Sequence, residues 1–183
     1  MACCIIMIYI ISINLQESVR MKNLLIVGAG AYGIVAKEIA ESMGCFGKID
    51  FLDDKNSLAV GKVLEYDKLF GEYTCIFVAI GNSDIRLDLL QKLEKSEYDI
   101  VTLISPAASV APSAKVMCGS VIEPMAVVQS FADIGVGCLV CSGAVVKHNA
   151  VVSDGCYIDC NSVVMQGACV PSRTKVEASK VFC

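Results

Sequence analysis

The chain has 183 residues and a net charge of −4, with 55% hydrophobic and 19% charged residues. This composition excludes a disordered chain, and the length suits one large domain or two small ones. The net negative charge, the absence of Trp and the low aromatic content of 7% disfavour nucleic acid as a partner. Proteins that bind nucleic acids usually carry basic patches and aromatic rings that stack on bases.

The first twenty residues do not resemble a membrane anchor. Residues 2–13 are almost wholly apolar, but this run is too short to cross a bilayer, and a basic n-region and a small-residue cleavage site are both missing. We predict no stable membrane insertion and expect residues 1–20 to be a non-native or flexible extension before a natural start at Met21. The alternative is a short membrane-associating or packing segment.

The next stretch predicts an α/β domain over residues 21–104. Apolar runs at 23–30, 48–54, 75–81 and 99–104 alternate with helical patterns at 31–44 and 84–96. Such alternation is typical of a Rossmann-like parallel sheet, here of about four strands.

The turn after the first strand reads GAGAYG, a GxGxxG sequence with a strand before it and a helix after it. Backbone N–H groups in such a turn can approach a phosphate, and acidic residues after the second strand can hold a ribose or a base edge. We predict a mononucleotide or nucleotide-sugar site; the alternatives are glycines that serve only packing, and a nicotinamide cofactor. The candidate substrate-binding residues are Gly28, Gly30, Tyr32, Gly33, Asp53, Asp54, Gly81 and Asn82.

A six-residue period runs through the rest of the chain. Every sixth residue from Ile104 to Val176 is Val or Ile, small residues follow four positions later, and Gly or Asn often precedes the small residue. Inward branched residues and left-handed corner residues predict a hexapeptide parallel β-helix over 105–183. A second apolar stripe precedes the inward residues and predicts burial between subunits of a closed ring; it consists of Val121, Val127, Leu139, Val145, Val151 and Val163.

The eleven cysteines cannot all pair within one chain. Cys138 and Cys156 are three hexads apart and should stack inside the β-helix, which favours reduced thiols used as apolar filler. This usage implies a reducing, cytoplasmic compartment. Cys138 and Cys141 form a CxxC, but no second CxxC or His-x-His completes a zinc set, so we predict no metal.

This order of domains resembles the bacterial sugar acyltransferases, which include sialic acid O-acetyltransferases and UDP-4-amino-sugar N-acetyltransferases. The resemblance rests on LLIVGAGAYG, FLDD, FVAIGNSDIR, LISPAASVAPSA and GAVVKHNAVVSDGCYID, in that order. It implies a left-handed β-helix that binds acetyl-CoA, a first domain that binds a sugar or nucleotide-sugar, and a homotrimer with active sites between neighbouring β-helices.

His148 is the chain's one histidine and matches the family's catalytic position. Its place in the hexad puts it near a corner, and a neutral imidazole can take a proton from an amine or hydroxyl that attacks a thioester. Asn149 stands where the family often has an acidic residue that orients the ring. Tyr157 stands where a second histidine associated with acetyl-CoA is common, and the resemblance also implies an acetyl-CoA contact at Gly167.

We therefore predict an acetyl-CoA-dependent acetyltransferase acting on a sugar or nucleotide-sugar in glycan or polysaccharide biosynthesis, by direct transfer in a ternary complex. Asn149 and Tyr157 favour an alternative, a degenerate member that binds a nucleotide-sugar without acyl transfer. A third possibility, an NAD-linked oxidoreductase, has the glycine turn but no visible catalytic set.

Overall fold

The computed structural model describes residues 21–183, so the prediction for residues 1–20 lies outside the described residues. The described residues include no helix long and apolar enough to span a bilayer. The elements of the first domain are β1 Lys22–Val27, α1 Ala31–Met43, β2 Phe46–Leu52, β3 Ala59–Gly61, a 3₁₀ helix Val63–Glu65, α2 Tyr66–Leu69, β4 Cys75–Val78, α3 Ser83–Leu93 and β5 Asp99–Ile100.

The first domain is a parallel five-stranded sheet with strand order β3-β2-β1-β4-β5. Residues 24–27 of β1 are buried, which explains their continuous apolar run. Helix α1 packs with Leu24 and Ile26 on one side of the sheet, and α3 packs with Leu25 and Val27 on the other. The short strand β3, the 3₁₀ helix and α2 are the elements that the sequence pattern misses.

The segment 99–104 differs from its prediction as one strand. Asp99–Ile100 pairs with β4, whereas Leu103–Ile104 pairs with Val121–Ile122 of the β-helix. The reason is that Val101 N–H donates to Ile76 O while Leu103 N–H donates to Ser120 O, so the backbone changes sheets between them. The α/β domain therefore ends before Leu103, not at residue 104.

Fourteen two-residue strands then form three parallel sheets around a triangular prism. One sheet, here the docked face, consists of β6 Leu103–Ile104, β9 Val121–Ile122, β12 Leu139–Val140, β15 Tyr157–Ile158 and β18 Lys175–Val176. The next, the valine face, consists of β7 Ser109–Val110, β10 Val127–Val128, β13 Val145–Val146, β16 Val163–Val164 and β19 Val181–Phe182. The third face consists of β8 Lys115–Val116, β11 Asp133–Ile134, β14 Val151–Val152 and β17 Cys169–Val170.

The interior and corners of the prism follow the six-residue period. The second residue of most rungs is buried in one apolar core, in which Cys138 and Cys156 lie in adjacent coils. Their mutual hydrogen bond and burial raise the pKa of the Cys138 thiol, which keeps it neutral. Corner residues have left-handed backbone, with φ of 57° at both Asn149 and Asn161, as the Gly and Asn pattern predicts.

The α/β domain covers the docked face. Val121 and Leu139 are fully buried there in one cluster with Ala36 and Ile39 of α1. The prediction that these two residues face another subunit is wrong, because α1 of the same chain already covers them. Val127, Val145, Val151 and Val163 lie on the other two faces and remain half-buried or exposed.

Arg86 joins the two domains. Its side chain is fully buried; Nε donates to Gly137 O at 2.7 Å and Nη2 to Gly155 O at 2.9 Å on the β-helix. Its Nη1 donates to Ile80 O and Gly81 O at the end of β4. A guanidinium without these carbonyls would carry a large desolvation cost, so the four bonds fix how the domains meet.

Replacement of Arg86 tests this junction. Arg86→Ala leaves four carbonyl oxygens without their donor and should lower the free energy of unfolding by about 3–5 kcal/mol. The matched control is Arg173→Ala, which removes an exposed interdomain ion pair to Asp84 and should cost less than about 1 kcal/mol. Urea unfolding measures both, and equal losses would contradict a dominant role for Arg86.

Candidate active site

The glycine turn lies between β1 and α1 and contains glycines of two kinds. A Cβ on Gly28 would come 2.8 Å from Ala79 O, and one on Gly33 would come 2.1 Å from Gly28 O. Gly30 differs, because a Cβ there meets nothing within 4 Å. Gly28 and Gly33 thus serve backbone packing, whereas the space beside Gly30 is open to a ligand.

The two acidic residues after β2 support this turn. Asp53 accepts hydrogen bonds from Ala29 N–H at 2.9 Å, Lys55 N–H at 2.8 Å and Asn56 N–H at 2.9 Å. Asp54 accepts from Val63 N–H. Donation by these amides, chiefly those of Ala29 and Lys55, lowers the pKa of Asp53. The Asp53 carboxylate therefore fixes the loop on which Gly30 sits.

Gly81 and Asn82 lie at the same carboxyl edge of the sheet, and both are exposed. Asn82 is the N-cap of α3, and its side-chain oxygen accepts from Ile85 N–H at 3.0 Å. No Cβ contact within 4 Å restricts Gly81. The edge formed by Gly30, Gly81 and Asn82 is accessible, as a phosphate- or sugar-binding edge requires.

Tyr32 lies where the start of α1 meets the β-helix. Its hydroxyl is shut off from solvent and has no hydrogen-bond partner within the described part of the chain. Burial and the neighbouring Glu123, Cys141 and Tyr157 raise its pKa. We call this junction the tyrosine seam, comprising Tyr32, Glu123, Cys141 and Tyr157; it runs along the edge between the docked face and the valine face.

His148 and Asn149 occupy another edge, the corner between β13 and β14, where the valine face meets the third face. Both are exposed. Gln129 Oε1 accepts from His148 N–H at 3.1 Å, and Gly167 N–H in the next coil donates to His148 O at 3.2 Å. A Cβ on Gly167 would meet nothing within 4 Å, so this corner has open space at Gly167.

The side chain of Asn149 contacts the imidazole of His148. Its Nδ2 lies 3.1 Å from His148 Nδ1, an arrangement that fits a ring protonated on Nε2. Rotation of the amide by a half-turn presents Oδ1 instead, which accepts a proton on Nδ1 and leaves Nε2 unprotonated. The second arrangement is the one in which Nε2 can act as a base.

Within one chain the predicted residues form two separate groups. The glycine turn, Gly81, Asn82 and Tyr157 lie on the side of the docked face, whereas His148, Asn149 and Gly167 lie on the edge opposite that face. The two predicted acetyl-CoA contacts are thereby divided, since Tyr157 packs in the tyrosine seam. A site that uses both groups needs a second copy of the chain.

Three further residues at or near these groups are not singled out by the sequence analysis. Glu123 is buried and accepts from both N–H and Oγ of Ser142 at 2.9 Å. Phe131 is 69% exposed one coil before Asn149, with a φ of 59° that bulky residues seldom adopt. Arg86 appears in the sequence only as one charged residue of a helix. Phe131 alone gives a hint in the sequence, because it stands at a corner position where Gly or Asn is usual.

Comparison with known proteins gives the same two-domain arrangement. The PglD N-terminal domain family matches residues 23–93. The acetyltransferase domain of PglB from Neisseria gonorrhoeae FA1090, solved with acetyl coenzyme A, is 30% identical, covers 87% of each chain and has a TM-score of 0.72. PerB from Caulobacter crescentus, solved with CoA and GDP-perosamine, shares the fold at 21% identity over 89% of each chain, with a TM-score of 0.71.

A curated relative, UDP-N-acetylbacillosamine N-acetyltransferase from Bacillus subtilis (strain 168), is 34% identical over 112 residues. The match covers 56% of this chain and 51% of the relative, about half of that protein's length.

These comparisons confirm the predicted fold class, a Rossmann-like domain docked on a left-handed parallel β-helix. The chain belongs to the bacterial sugar acyltransferase family represented by the acetyltransferase domain of PglB.

Asp53→Asn distinguishes loop support from ligand contact. The depressed pKa of Asp53 stabilises the fold above the carboxyl's unfolded pKa, and this stability is lost as the pH falls through the lower folded value. We expect the variant to lose about 1–2 kcal/mol near pH 7, with the difference from the parent shrinking towards about pH 3. Urea unfolding at both pH values measures this. Unchanged stability near neutrality would show that Asp53 does not hold the loop.

Proposed function

We propose that this protein is an acetyl-CoA-dependent N-acetyltransferase that acts on the amine of a nucleotide-linked amino sugar. The observation that carries the proposal is the exposed His148–Asn149 pair beside the open Gly167 corner, on a chain of this family. An amine acceptor is favoured over a hydroxyl because the Bacillus subtilis relative is an N-acetyltransferase. The glycine turn with open space at Gly30 supports a nucleotide-sugar as the second substrate.

The proposed chemistry is direct transfer. His148 Nε2 accepts a proton from the amine as its nitrogen attacks the thioester carbonyl, the carbon–sulfur bond breaks, and the CoA thiolate leaves and is protonated. Asn149 Oδ1 accepts the Nδ1–H and so holds the reactive tautomer. The step uses no covalent enzyme intermediate and no metal.

We propose that the complete site forms between neighbouring copies of a homotrimer. The valine face separates the two groups of site residues and carries an unpartnered apolar stripe, with Val127, Val145 and Val163 half-buried and Val181 60% exposed. Met125 and Phe131 flank it on either edge, 75% and 69% exposed, both with positive φ. Contiguous apolar stripes of this kind mark interaction surfaces, and a closed ring would bring one copy's His148 to the next copy's glycine turn.

The proposal places the enzyme in the cytoplasm. Cys138 and Cys156 are free thiols stacked in the β-helix core, a usage that suits a reducing compartment. Glycan or polysaccharide biosynthesis is the process that consumes an acetylated nucleotide-sugar.

Replacement of His148 tests the assignment of the base. With acetyl-CoA and a UDP-linked 4-amino sugar, His148→Ala should lower kcat by about 10²–10⁴ and leave both KM values nearly unchanged, because the imidazole acts in the transition state. Steady-state release of free CoA thiol measures the rate.

Two variants of Asn149 serve as matched controls. Asn149→Gly keeps the left-handed turn but removes the amide, so it should lower kcat; Asn149→Asp keeps the turn and supplies a stronger acceptor for Nδ1–H, so it should equal or exceed the parent. Near-full activity of His148→Ala would contradict the assignment. A parent protein that binds the nucleotide-sugar but neither binds acetyl-CoA nor transfers acetyl would instead support the degenerate-member alternative.

A further inference from the structure

Three potential metal ligands meet at the corner between the docked face and the valine face. Cys141 Sγ, a carboxylate oxygen of Asp159 and Cys160 Sγ all lie within 4.8 Å of one another. They come from adjacent coils, because Cys141 N–H donates to Ile158 O, which directly precedes Asp159 in the next coil. None of the three belongs to the chemistry proposed above.

The surroundings of this cluster are acidic. Lys175 Nζ lies 3.3 Å from Asp159, but it lies closer, at 2.7 Å, to Glu177. Burial and the nearby carboxylate of Glu123 raise the pKa of the Cys141 and Cys160 thiols. Two carboxylates, those of Asp159 and Glu177, therefore share one ammonium group. Glu123 adds a third negative charge near the cluster, and the excess negative charge favours a cation.

The backbone holds the ligands in place before any ion binds. Asp159 Oδ1 accepts from Cys160 N–H at 2.8 Å, and Asp159 O accepts from Ser162 Oγ at 2.6 Å. Cys141 is buried on the protein side, whereas Cys160 is exposed. The arrangement offers three protein ligands and one side open to water, which suits a four-coordinate ion.

The separations also suit an ion of the right size. Bonds of about 2.3 Å from zinc to sulfur and 2.0–2.2 Å to oxygen place tetrahedral ligands roughly 3.5–3.8 Å apart. The cluster reaches this spacing with movements of about 1 Å, within the range of side-chain rotation. Two thiolates with one carboxylate select a borderline-soft cation over magnesium or calcium.

In contrast to the sequence-based expectation of no metal, we infer that Cys141, Asp159 and Cys160 form a binding site for a divalent cation of the zinc class. The site shares Cys141 with the tyrosine seam. It is separate from the His148 corner, so the inference does not depend on the proposed acetyl transfer.

Metal titration of the reduced full chain tests the inference. Zn²⁺ content per chain, measured after desalting, should fall by one equivalent in Cys141→Ser, Cys160→Ser and Asp159→Asn. Loss of a ligand should weaken the apparent affinity by at least roughly 10–100-fold, the range known for outer-shell partners. The matched control Cys169→Ser removes an exposed thiol from the third face and should retain the full zinc content.

Cobalt gives an independent reading of the same ligands. Co²⁺ added to the parent should produce thiolate-to-metal charge-transfer absorption and intense tetrahedral visible bands, both reduced in Cys160→Ser and kept in Cys169→Ser. Circular dichroism verifies folding, and Cys160→Ser carries the test if the buried Cys141→Ser does not fold. Equal metal content in all four variants, or no thiolate band with cobalt, would overturn the inference.

Discussion

The burial of one face of the β-helix beneath the α/β domain is the constraint on which the rest of the structure depends. A triangular prism has three faces, and α1 together with the Arg86 guanidinium determines which of them is covered. Because Val121 and Leu139 are already buried in this contact, only the valine face and the third face remain accessible to other copies of the chain. The edge between these two faces is the one that carries His148.

This geometry separates the proposed base from the proposed substrate-binding turn within a single chain. The imidazole, Asn149 and Gly167 lie on the edge opposite the docked face, while the open position at Gly30 lies beside the tyrosine seam. The apolar valine face runs between them, flanked by Met125 and Phe131 in strained left-handed conformations. Strained conformations at these exposed apolar corners agree with the proposed trimer, in which another copy would bury the two side chains.

Much of this could be predicted from residues whose roles are local. The period of six determines which side chains point inward, so the β-helix, the left-handed corners and the corner position of His148 follow from the sequence. The glycine turn is local only in part, because Gly33 is required by the nearby Gly28 O, whereas Gly28 is required by Ala79 O, which is distant in the sequence. The roles of other residues depend on contacts far apart in sequence. The face covered by α1, the division of the site, and the use of Asp53 for loop amides all depend on packing that no periodicity encodes. The switch of sheets between Val101 and Leu103 is likewise decided by two partner strands distant in the chain.

Subunit complementation tests most directly the claim that two chains build one site. His148→Ala and Gly30→Val should each be nearly inactive alone, the first for loss of the base and the second because its side chain fills the open position beside the glycine turn. Co-expressed with different affinity tags and purified through both, the mixed trimers should regain roughly a third of the parent's kcat, since one of the three interfaces in each mixed trimer pairs an intact His148 with an intact glycine turn. Mixed assemblies that stay as inactive as either variant alone would show that the site does not form between subunits.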